Sequence, residues 1–281
     1  MEILTKLDEN YPKRLLEIKD PPKKLYVEGD SSLLNKNSIA IVGSRKCTPY
    51  GWKQAKKISN DLSKKNICIV SGMALGIDTA AHVGAKEEVG KTIAVLGGGL
   101  KNIYPSQNLQ LYQEILENGG CIISEYEPET EADVSKFPQR NRIISGISLG
   151  VVVVEAKYRS GSSITARYAI KQKKTVFCVP SNLESTNGYV PNKLIQEGAN
   201  LIMSAQDILE ELGLLEETNE YKPEQQYQEI YDVLGNLPIS ANDICKIVKK
   251  PISEVNETLL MLELQGAIKS FPGNQFARRL Q

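Results

Sequence analysis

The chain has a single histidine, His82, and five cysteines spread singly along its 281 residues. A nucleophilic triad or a histidine-rich metal site would therefore have to be built around that one imidazole. The cysteines form no CxxC pair, which argues against both a zinc ribbon and a disulfide framework. The composition predicts an intracellular protein with reduced thiols and no resident metal or cofactor.

Net charge and long apolar runs are lacking as well. Lys and Arg number 34, as do Asp and Glu, so a chain that is basic throughout is excluded and any charged patch must be local. The N-terminal residues MEILTKLDENYPKRL carry charges where a signal peptide needs an apolar stretch. Runs such as GVVVV are too short to span a bilayer. We expect a cytoplasmic protein with no membrane contact.

Short apolar runs recur along most of the chain. Segments with helical periodicity, at 51–65 and 77–88, separate the first three of these runs from one another. Uninterrupted β-branched runs that alternate with helices predict buried strands joined by right-handed crossovers. This pattern predicts a doubly wound α/β domain with a mainly parallel sheet. The runs are SIAIVG (38–43), ICIVSG (67–72), TIAVLG (92–97), CIISE (121–125), GVVVVE (150–155), TVFCVP (175–180) and ANLIMS (199–204).

Small residues follow the predicted strands. The first strand ends in Gly43, Ser44 and Arg45, and the fifth is followed by Ser160, Gly161 and Ser162. In an open parallel sheet, ligands bind outside the carboxyl ends of the strands, where backbone N–H groups and helix N-termini meet an anion. These turns predict a phosphate-binding rim.

Charge is distributed unevenly after that rim. Residues 136–174 contain nine basic side chains, among them Arg159, against Glu155 alone, whereas residues 205–232 contain nine acids against Lys222. The acidic stretch has no apolar periodicity near residue 220 and is typical of a linker. We expect an N-terminal extension packed on the core (1–37), a main domain (38–213), a linker (214–223) and a small C-terminal domain (224–281).

The C-terminal domain has the pattern of a winged helix-turn-helix. Three short helices, the second with a capping box formed by Ser240 and Asp243, precede a hairpin at 267–279. The third helix, predicted at 253–265, carries three glutamates and no lysine or arginine. A helix that enters the major groove needs cations near phosphates. We therefore expect this domain to bind a protein partner or support a dimer rather than to read duplex DNA.

Two enzymatic interpretations are open at this point. His82 lies on a small-residue helix, where helix packing is a commoner role than catalysis, and Asp78 lies four residues earlier and could orient it. Glu125 and Glu155, at two strand ends, could form the carboxylate pair of a glycosidic mechanism, although capping of turns is the commoner use of such residues.

The segment FPQRNRIISG at 137–146 is the strongest local signal. Arg140 and Arg142 bracket Asn141, and arginine offers a planar fork that matches phosphate oxygens. Phe137 supplies a face on which a base could stack. In a doubly wound sheet this segment would converge with the turns at 43–45 and 160–162, and such convergence is not expected of solvated charges.

Six ordered stretches together resemble the DNA-processing protein A family, known as DprA or Smf. They are YPKRLLEIKDPPKKLYVEGD, IAIVGSRKCTPYG, IVSGMALGIDTAAH, TIAVLGGGLKNIYPSQN, FPQRNRIISG and EAKYRSGSSITA. The resemblance implies an extended Rossmann-like domain that forms a homodimer, binds single-stranded DNA and hands it to the recombinase RecA during natural transformation. It implies no catalytic activity.

The resemblance also assigns residues. The family's GSR turn corresponds to residues 43–45 and its RNR segment to residues 140–142. Family members frequently have lysine after Tyr-Pro, where this chain has Ser106, so Lys101 or Lys136 would have to compensate. The full set of predicted DNA contacts is Gly43, Ser44, Arg45, Lys136, Phe137, Arg140, Asn141, Arg142, Ser160, Gly161 and Ser162. A nucleotide phosphoribohydrolase of the LOG type and a winged-helix transcription regulator are the alternatives.

Overall fold

A computed structural model describes residues 1–158, 160–215 and 223–278. The chain divides into two compact units, Met1–Gly213 and Leu214–Gln281. Most of the predicted linker, residues 216–222, lies outside the described residues, as does Arg159.

Nine strands of the N-terminal unit form one sheet in the part of the chain that the structure describes. Their spatial order is β1-β2-β6-β5-β4-β3-β7-β8-β9. The strands from β6 to β9 in that order pair in parallel, as the buried apolar runs predict. The strands are β1 (Glu2–Thr5), β2 (Lys24–Gly29), β3 (Ser38–Val42), β4 (Cys68–Ser71), β5 (Thr92–Val95), β6 (Cys121–Ser124), β7 (Gly150–Val153), β8 (Thr175–Cys178) and β9 (Asn200–Leu201).

The helices of the N-terminal unit cover both faces of this sheet. Successive residues of a strand point to opposite faces. Accordingly, Ile93 and Val95 pack in one cluster with Ile143, whereas Ala94 packs in another with Leu111. The helices are α1 (Lys13–Leu16), α2 (Pro49–Lys64), α3 (Ile77–Ala85), α4 (Leu109–Glu117), α5 (Lys136–Ile147), α6 (Gly161–Lys171), α7 (Tyr189–Gln196) and α8 (Ala205–Glu211). The prediction of a doubly wound α/β domain is confirmed.

Residues 1–37 supply part of the sheet itself. The strands β1 and β2 pair antiparallel with each other, and β2 pairs antiparallel with β6. The apolar run of β2, Leu25 to Val27, is only three residues long and is flanked by charges. Periodicity over so short a run does not distinguish a strand from a loop, which is why the sequence predicts only an extension packed on the core.

The strand order reverses between β3 and β7. From β3 the chain proceeds through β4, β5 and β6 in one direction, and after β6 it returns to place β7, β8 and β9 on the other side of β3. At such a reversal the loops that leave the two central strands diverge and open a crevice at the carboxyl edge of the sheet. The turn at 43–45 and the segment that follows Val153 leave the sheet at this point.

The C-terminal unit is a winged-helix domain. It consists of α9 (Gln228–Val233), β10 (Ile239–Ser240), α10 (Ala241–Val248), α11 (Ile252–Leu264), β11 (Ile268–Phe271) and β12 (Gln275–Arg278). Its own core includes Ile244 and Leu259. Ser240 is the N-cap of α10, since its hydroxyl accepts from the Asp243 amide at 3.1 Å. The Asp243 carboxylate accepts from the same hydroxyl at 2.7 Å, so only half of the predicted capping box is formed. Among the described residues of both units, no helix is long and apolar enough to cross a membrane.

His82 is fully buried in the N-terminal unit and packs against the sheet. Its Nδ1 lies 2.8 Å from the hydroxyl of Thr92, which itself donates to the Ile69 carbonyl, so Nδ1 is the donor. Asp78, which by its spacing could orient the imidazole, instead accepts hydrogen bonds from backbone amides at 72 and 74. Burial, assisted by the positive charge of Arg140, lowers the pKa of His82 to about 3.

This pKa predicts an acid-sensitive fold. Below the ordinary histidine pKa of about 6.5, His82 becomes protonated in the unfolded chain, whereas in the folded chain it stays neutral down to about pH 3. Between pH 7 and pH 5 the free energy of unfolding should therefore fall by about 2 kcal/mol more in the wild-type chain than in a His82→Asn variant. Urea titrations at the two pH values measure this difference. Equal losses in both proteins would contradict the prediction.

Candidate functional site

A cavity of about 480 Å³ lies where the strand order reverses. It lies between the loops that follow β3 and β7 and the helices α5 and α6, and we call it the cleft. Nine of the eleven predicted contact residues line it. They are Gly43, Ser44, Arg45, Phe137, Arg140, Asn141, Ser160, Gly161 and Ser162. The described residues contain no cluster of histidine, cysteine or carboxylate side chains able to hold a metal ion.

The loop that carries Arg45 is fastened to Glu155, which is only 1% exposed. The Glu155 carboxylate accepts from the backbone N–H of Thr48 at 2.9 Å and from its hydroxyl at 2.5 Å. The backbone carbonyl of Glu155 accepts from Ser44 N at 2.6 Å. Asn187 donates from Nδ2 both to the Lys46 carbonyl, at 3.0 Å, and to the Glu155 carboxylate, at 3.3 Å. The role of Glu155 is therefore to hold this loop in shape.

Arg45 is exposed and stacks on an aromatic side chain. Its guanidinium carbon lies 5.1 Å from the centre of the Phe137 ring. The Tyr104 ring lies 5.6 Å from the Phe137 ring at an interplanar angle of 30°. Within the described residues Arg45 forms no ion pair. Stacking limits the motion of this guanidinium while leaving its N–H groups available to an anion.

The N-terminus of α6 borders the opposite side of the cleft. Ser160 is the N-cap residue, and Ser160, Gly161 and Ser162 all line the cavity. The first amides of a helix lack intrahelical acceptors and carry a partial positive charge. Asn141 Nδ2 donates to the Gly161 carbonyl at 3.2 Å and so ties α5 to this turn. The arrangement favours a phosphate at the helix end.

Arg140 is buried and belongs to the floor of the cleft. It is 4% exposed, and its guanidinium donates to the Gly72 carbonyl at 2.6 Å and to the Val95 carbonyl. Burial lowers the pKa of Arg140 to about 10, and nearby Asp78 opposes that shift. Burial raises the pKa of Asp78, an effect that Arg140 and two backbone donors oppose. Arg140 thus joins the ends of β4 and β5. The sequence instead predicts that its guanidinium group is free to bind phosphate.

Two predicted contact residues lie away from the cleft. Arg142 forms a two-pronged ion pair with Glu125, with N–O distances of 2.7 and 3.0 Å, and its side chain is only 12% exposed. Lys136 donates to the Glu131 carbonyl at 2.7 Å and lies 5.5 Å from the centre of the Tyr126 ring. Neither residue lines the cavity. With Glu125 paired to Arg142 and Glu155 bound to its loop, both carboxylates of the hypothetical glycosidic pair are engaged.

The cleft also contains cations that were not among the predicted contacts. Lys46 and Lys157 are exposed and line it. Lys46 directly follows the turn at 43–45, and Lys157 lies two residues after Glu155. Their closeness in sequence to these two turns could have identified both lysines as cleft residues. Lys101, considered as a substitute for the lysine missing at Ser106, forms an ion pair with Glu129 at 2.6 Å.

Acids occupy the third helix of the winged-helix unit, and two of the four lysines that flank it are paired with acids, whereas Lys249 and Lys269 form no ion pair within the described residues. Glu254, Glu257 and Glu263 lie on α11, which has no lysine or arginine. Of the flanking lysines, Lys250 pairs with Glu254 and Glu229, and Lys246 pairs with Asp243 at 2.8 Å. These ion pairs reduce the attraction that a DNA backbone would feel on this face.

Comparison with known proteins places the chain in a family. Residues 2–213 match the model of DNA recombination-mediator protein A, and residues 216–274 match the DprA winged helix domain. The chain belongs to the DNA recombination-mediator protein A family. It is 38% identical to protein Smf of Escherichia coli in an alignment of 277 positions that covers 94% of this chain and 74% of that protein. It is 45% identical to the DNA processing protein DprA of Bacillus subtilis over 73% of this chain and 69% of that one.

Solved structures of DprA proteins share the fold. DNA processing protein A from Streptococcus pneumoniae superposes with a TM-score of 0.71 at 43% identity, over 75% of this chain and 74% of that one. The Helicobacter pylori protein, studied for a single-stranded DNA binding mode, gives a TM-score of 0.68 at 37% identity, over 75% of this chain and 96% of that one.

Proposed function

We propose that this DprA family member binds single-stranded DNA in the cleft between the loops that follow β3 and β7. The observation that carries the proposal is the exposed Arg45 guanidinium, stacked on Phe137 and facing a cavity that the N-terminus of α6 also borders. Lys46 and Lys157 add positive charge to the same rim. The single-stranded DNA binding of the Helicobacter pylori relative supports this assignment.

In this proposal phosphates bind the Arg45 guanidinium and the first amides of α6, and bases stack on exposed aromatic faces. Tyr104, which is exposed and stacks on the partly buried Phe137 ring, offers one such face, and exposed Tyr158 beside Lys157 offers another. Contacts of this kind provide affinity without reading base edges, so sequence preference should be weak. Arg140 shapes the floor of the cleft through its bonds to protein carbonyls, whereas Arg142 lies away from the cleft and pairs with Glu125, so neither guanidinium group is assigned to phosphate.

Family membership supports a proposal for the wider role. We propose that the protein acts in the cytoplasm as a homodimer of 31.1 kDa chains, protects incoming single strands and loads RecA on them during transformation or recombination, without catalysing a reaction. Light scattering tests the dimer. Stimulation of RecA filament assembly on a coated single strand tests the transfer.

The division of labour between the two units gives the direct test. Because each unit has its own core, a chain that ends at Gly213 is expected to fold and to retain most of the single-strand affinity. The isolated winged-helix unit should not bind duplex DNA at about micromolar concentration and physiological salt, because α11 is acidic. Fluorescence anisotropy with single- and double-stranded oligonucleotides measures both. Loss of single-strand binding on truncation, or duplex binding by the isolated unit, would refute the proposal.

The alternative function, that of a LOG-type hydrolase, would use the same phosphate-binding rim. Its chemistry needs an unoccupied carboxylate, but Glu155 is tied to Thr48 and Asn187. Release of free base from a nucleoside monophosphate, abolished by Glu155→Gln, would favour this enzyme instead.

A further inference from the structure

The exposed face of α2 forms a basic surface that leads away from the cleft. The helix begins directly after the loop of Arg45 and Lys46, with Thr48 as its N-cap. Between residues 45 and 65 there are seven basic side chains and one acid, Asp61. The lysines of the helix and its C-cap, all exposed, are Lys53, Lys56, Lys57, Lys64 and Lys65. We call them the α2 lysines.

Helical spacing gathers these side chains into a stripe. Lys53 and Lys57 are four residues apart, and Lys64 follows two turns later, so the three share one side of the helix. Lys56 lies on the adjoining part of that exposed side. The opposite side is buried through Ala55, Ile58 and Leu62. The helix has 16 residues and is about 24 Å long, so the stripe extends well beyond the cleft.

Neighbouring acids in the described part of the chain, including Asp61 on the helix itself, form no ion pair with the stripe. Among the described residues, none of the α2 lysines lies within ion-pair distance of a carboxylate. Glu88, beyond the C-terminus of α3, accepts a hydrogen bond from Asn60 at 2.7 Å. On α8, which packs against α2, Asp207 is bound to backbone amides at 203 and 204. The lysines therefore remain available to an external polyanion.

An aromatic side chain lies on the same face. Trp52, the only tryptophan of the protein, is 37% exposed in the first turn of α2, one turn before Lys56. A tryptophan at a protein surface next to cations offers a stacking face for an unpaired base. A duplex hides its base faces, and an acidic protein has no bases, so this combination favours a single strand.

We propose that α2 is a second part of the DNA-binding site, along which a single strand runs after it leaves the cleft. Its phosphates lie along the α2 lysines and one of its bases stacks on Trp52. The inference rests on the proposed function, since the strand is taken to start in the cleft, and it adds a site that begins where the cleft ends. Short strands should occupy the cleft alone, and longer strands should occupy both parts.

Trp52 makes the inference directly measurable in the full-length protein, because its fluorescence has no other tryptophan background. An oligothymidylate of about 20 nucleotides should quench this fluorescence, whereas one of about 4 nucleotides, short enough for the cleft alone, should bind with little quenching. A Trp52→Phe variant should bind the long strand more weakly and the short strand as before. Binding of the long strand without quenching would overturn the inference.

The lysines are tested by the salt dependence of binding. A Lys53→Gln/Lys56→Gln/Lys57→Gln variant loses three contacts and should lower the slope of log K against log salt by about 2 for the long strand and leave the short strand unchanged. Lys19→Gln/Lys23→Gln/Lys24→Gln removes the same charge from exposed positions elsewhere and should change neither slope. Equal slopes for the two variants would overturn the inference.

Different variants test DNA binding in the cleft and DNA binding along α2. Arg45→Ala should weaken the short strand as well as the long one, and failure of that result would refute the cleft and not the stripe. Conversely, normal short-strand binding together with an unaltered long-strand slope in the lysine variant would refute the stripe and leave the cleft in place. A lysine variant that binds DNA normally but loses an acidic protein partner would also count against the inference.

Discussion

Replacing Arg45 with alanine is expected to weaken single-strand binding by about ten- to a hundredfold, which corresponds to the about 1.5 to 3 kcal/mol of a charge-assisted hydrogen bond. The side chain is exposed, stacked on Phe137 and without an ion pair in the described part of the chain, so its charge is available to a phosphate. The slope of log K against log salt should fall by about 0.7, the value for one phosphate contact on a single strand. Anisotropy titrations at several salt concentrations measure both quantities.

Two variants control this experiment. Arg45→Lys keeps the charge but loses the planar group that stacks on Phe137, so its salt slope should match the wild type while its affinity falls partway. Arg167→Ala removes an exposed arginine from α6 at a position that does not line the cleft and should bind normally. Wild-type affinity and slope in Arg45→Ala would rule out the cleft as the DNA site.

Replacing Arg140 with alanine should act on folding, lowering the free energy of unfolding by about 3 to 5 kcal/mol, the cost of leaving two buried carbonyls and a buried carboxyl group without the cation that faces them. The change leaves two strand-end carbonyls, at Gly72 and Val95, without their donor and leaves Asp78 buried without its nearby cation. Urea denaturation followed by circular dichroism measures the loss.

The double variant Asp78→Asn/Arg140→Met provides the matched comparison. It removes both charges while keeping much of the buried volume, so it should be destabilised less than Arg140→Ala. If Arg140→Ala instead unfolds at the same urea concentration as the wild type, and loses single-strand affinity with a lower salt slope, Arg140 contacts phosphate directly, as the sequence suggests.

The positions of the strands and the location of the cleft could be predicted from the order of residues along the chain. The seven apolar runs contain β3 to β9, because strands buried on both faces have continuous apolar sequences. Small residues at the ends of β3 and β7 mark the turns that meet at the cleft, since parallel strands bring their carboxyl ends to one edge. Hence nine of the eleven predicted contact residues line one cavity.

The different roles of Arg140 and Arg142 depend on tertiary structure. Two residues apart on α5, they point about 200° away from each other, so one cleft cannot receive both side chains. Which of them faces the cleft, and whether its guanidinium is free, depends on groups distant in sequence. The guanidinium group of Arg140 donates to carbonyls of residues 68 and 45 positions away in the sequence, and that of Arg142 donates to a carboxylate 17 positions away.

The exposure of the α2 lysines is also a tertiary property. The chain shows seven basic residues between 45 and 65, but composition does not reveal whether they pair with acids, and the overall charge is zero. The fold buries Ala55, Ile58 and Leu62 and turns the lysines outward, with no carboxylate within ion-pair distance in the described residues. Local patterns of apolar and small residues determined the strands and their turns. Whether each charged side chain is paired or free depended on which groups, distant in sequence, the fold brought beside it.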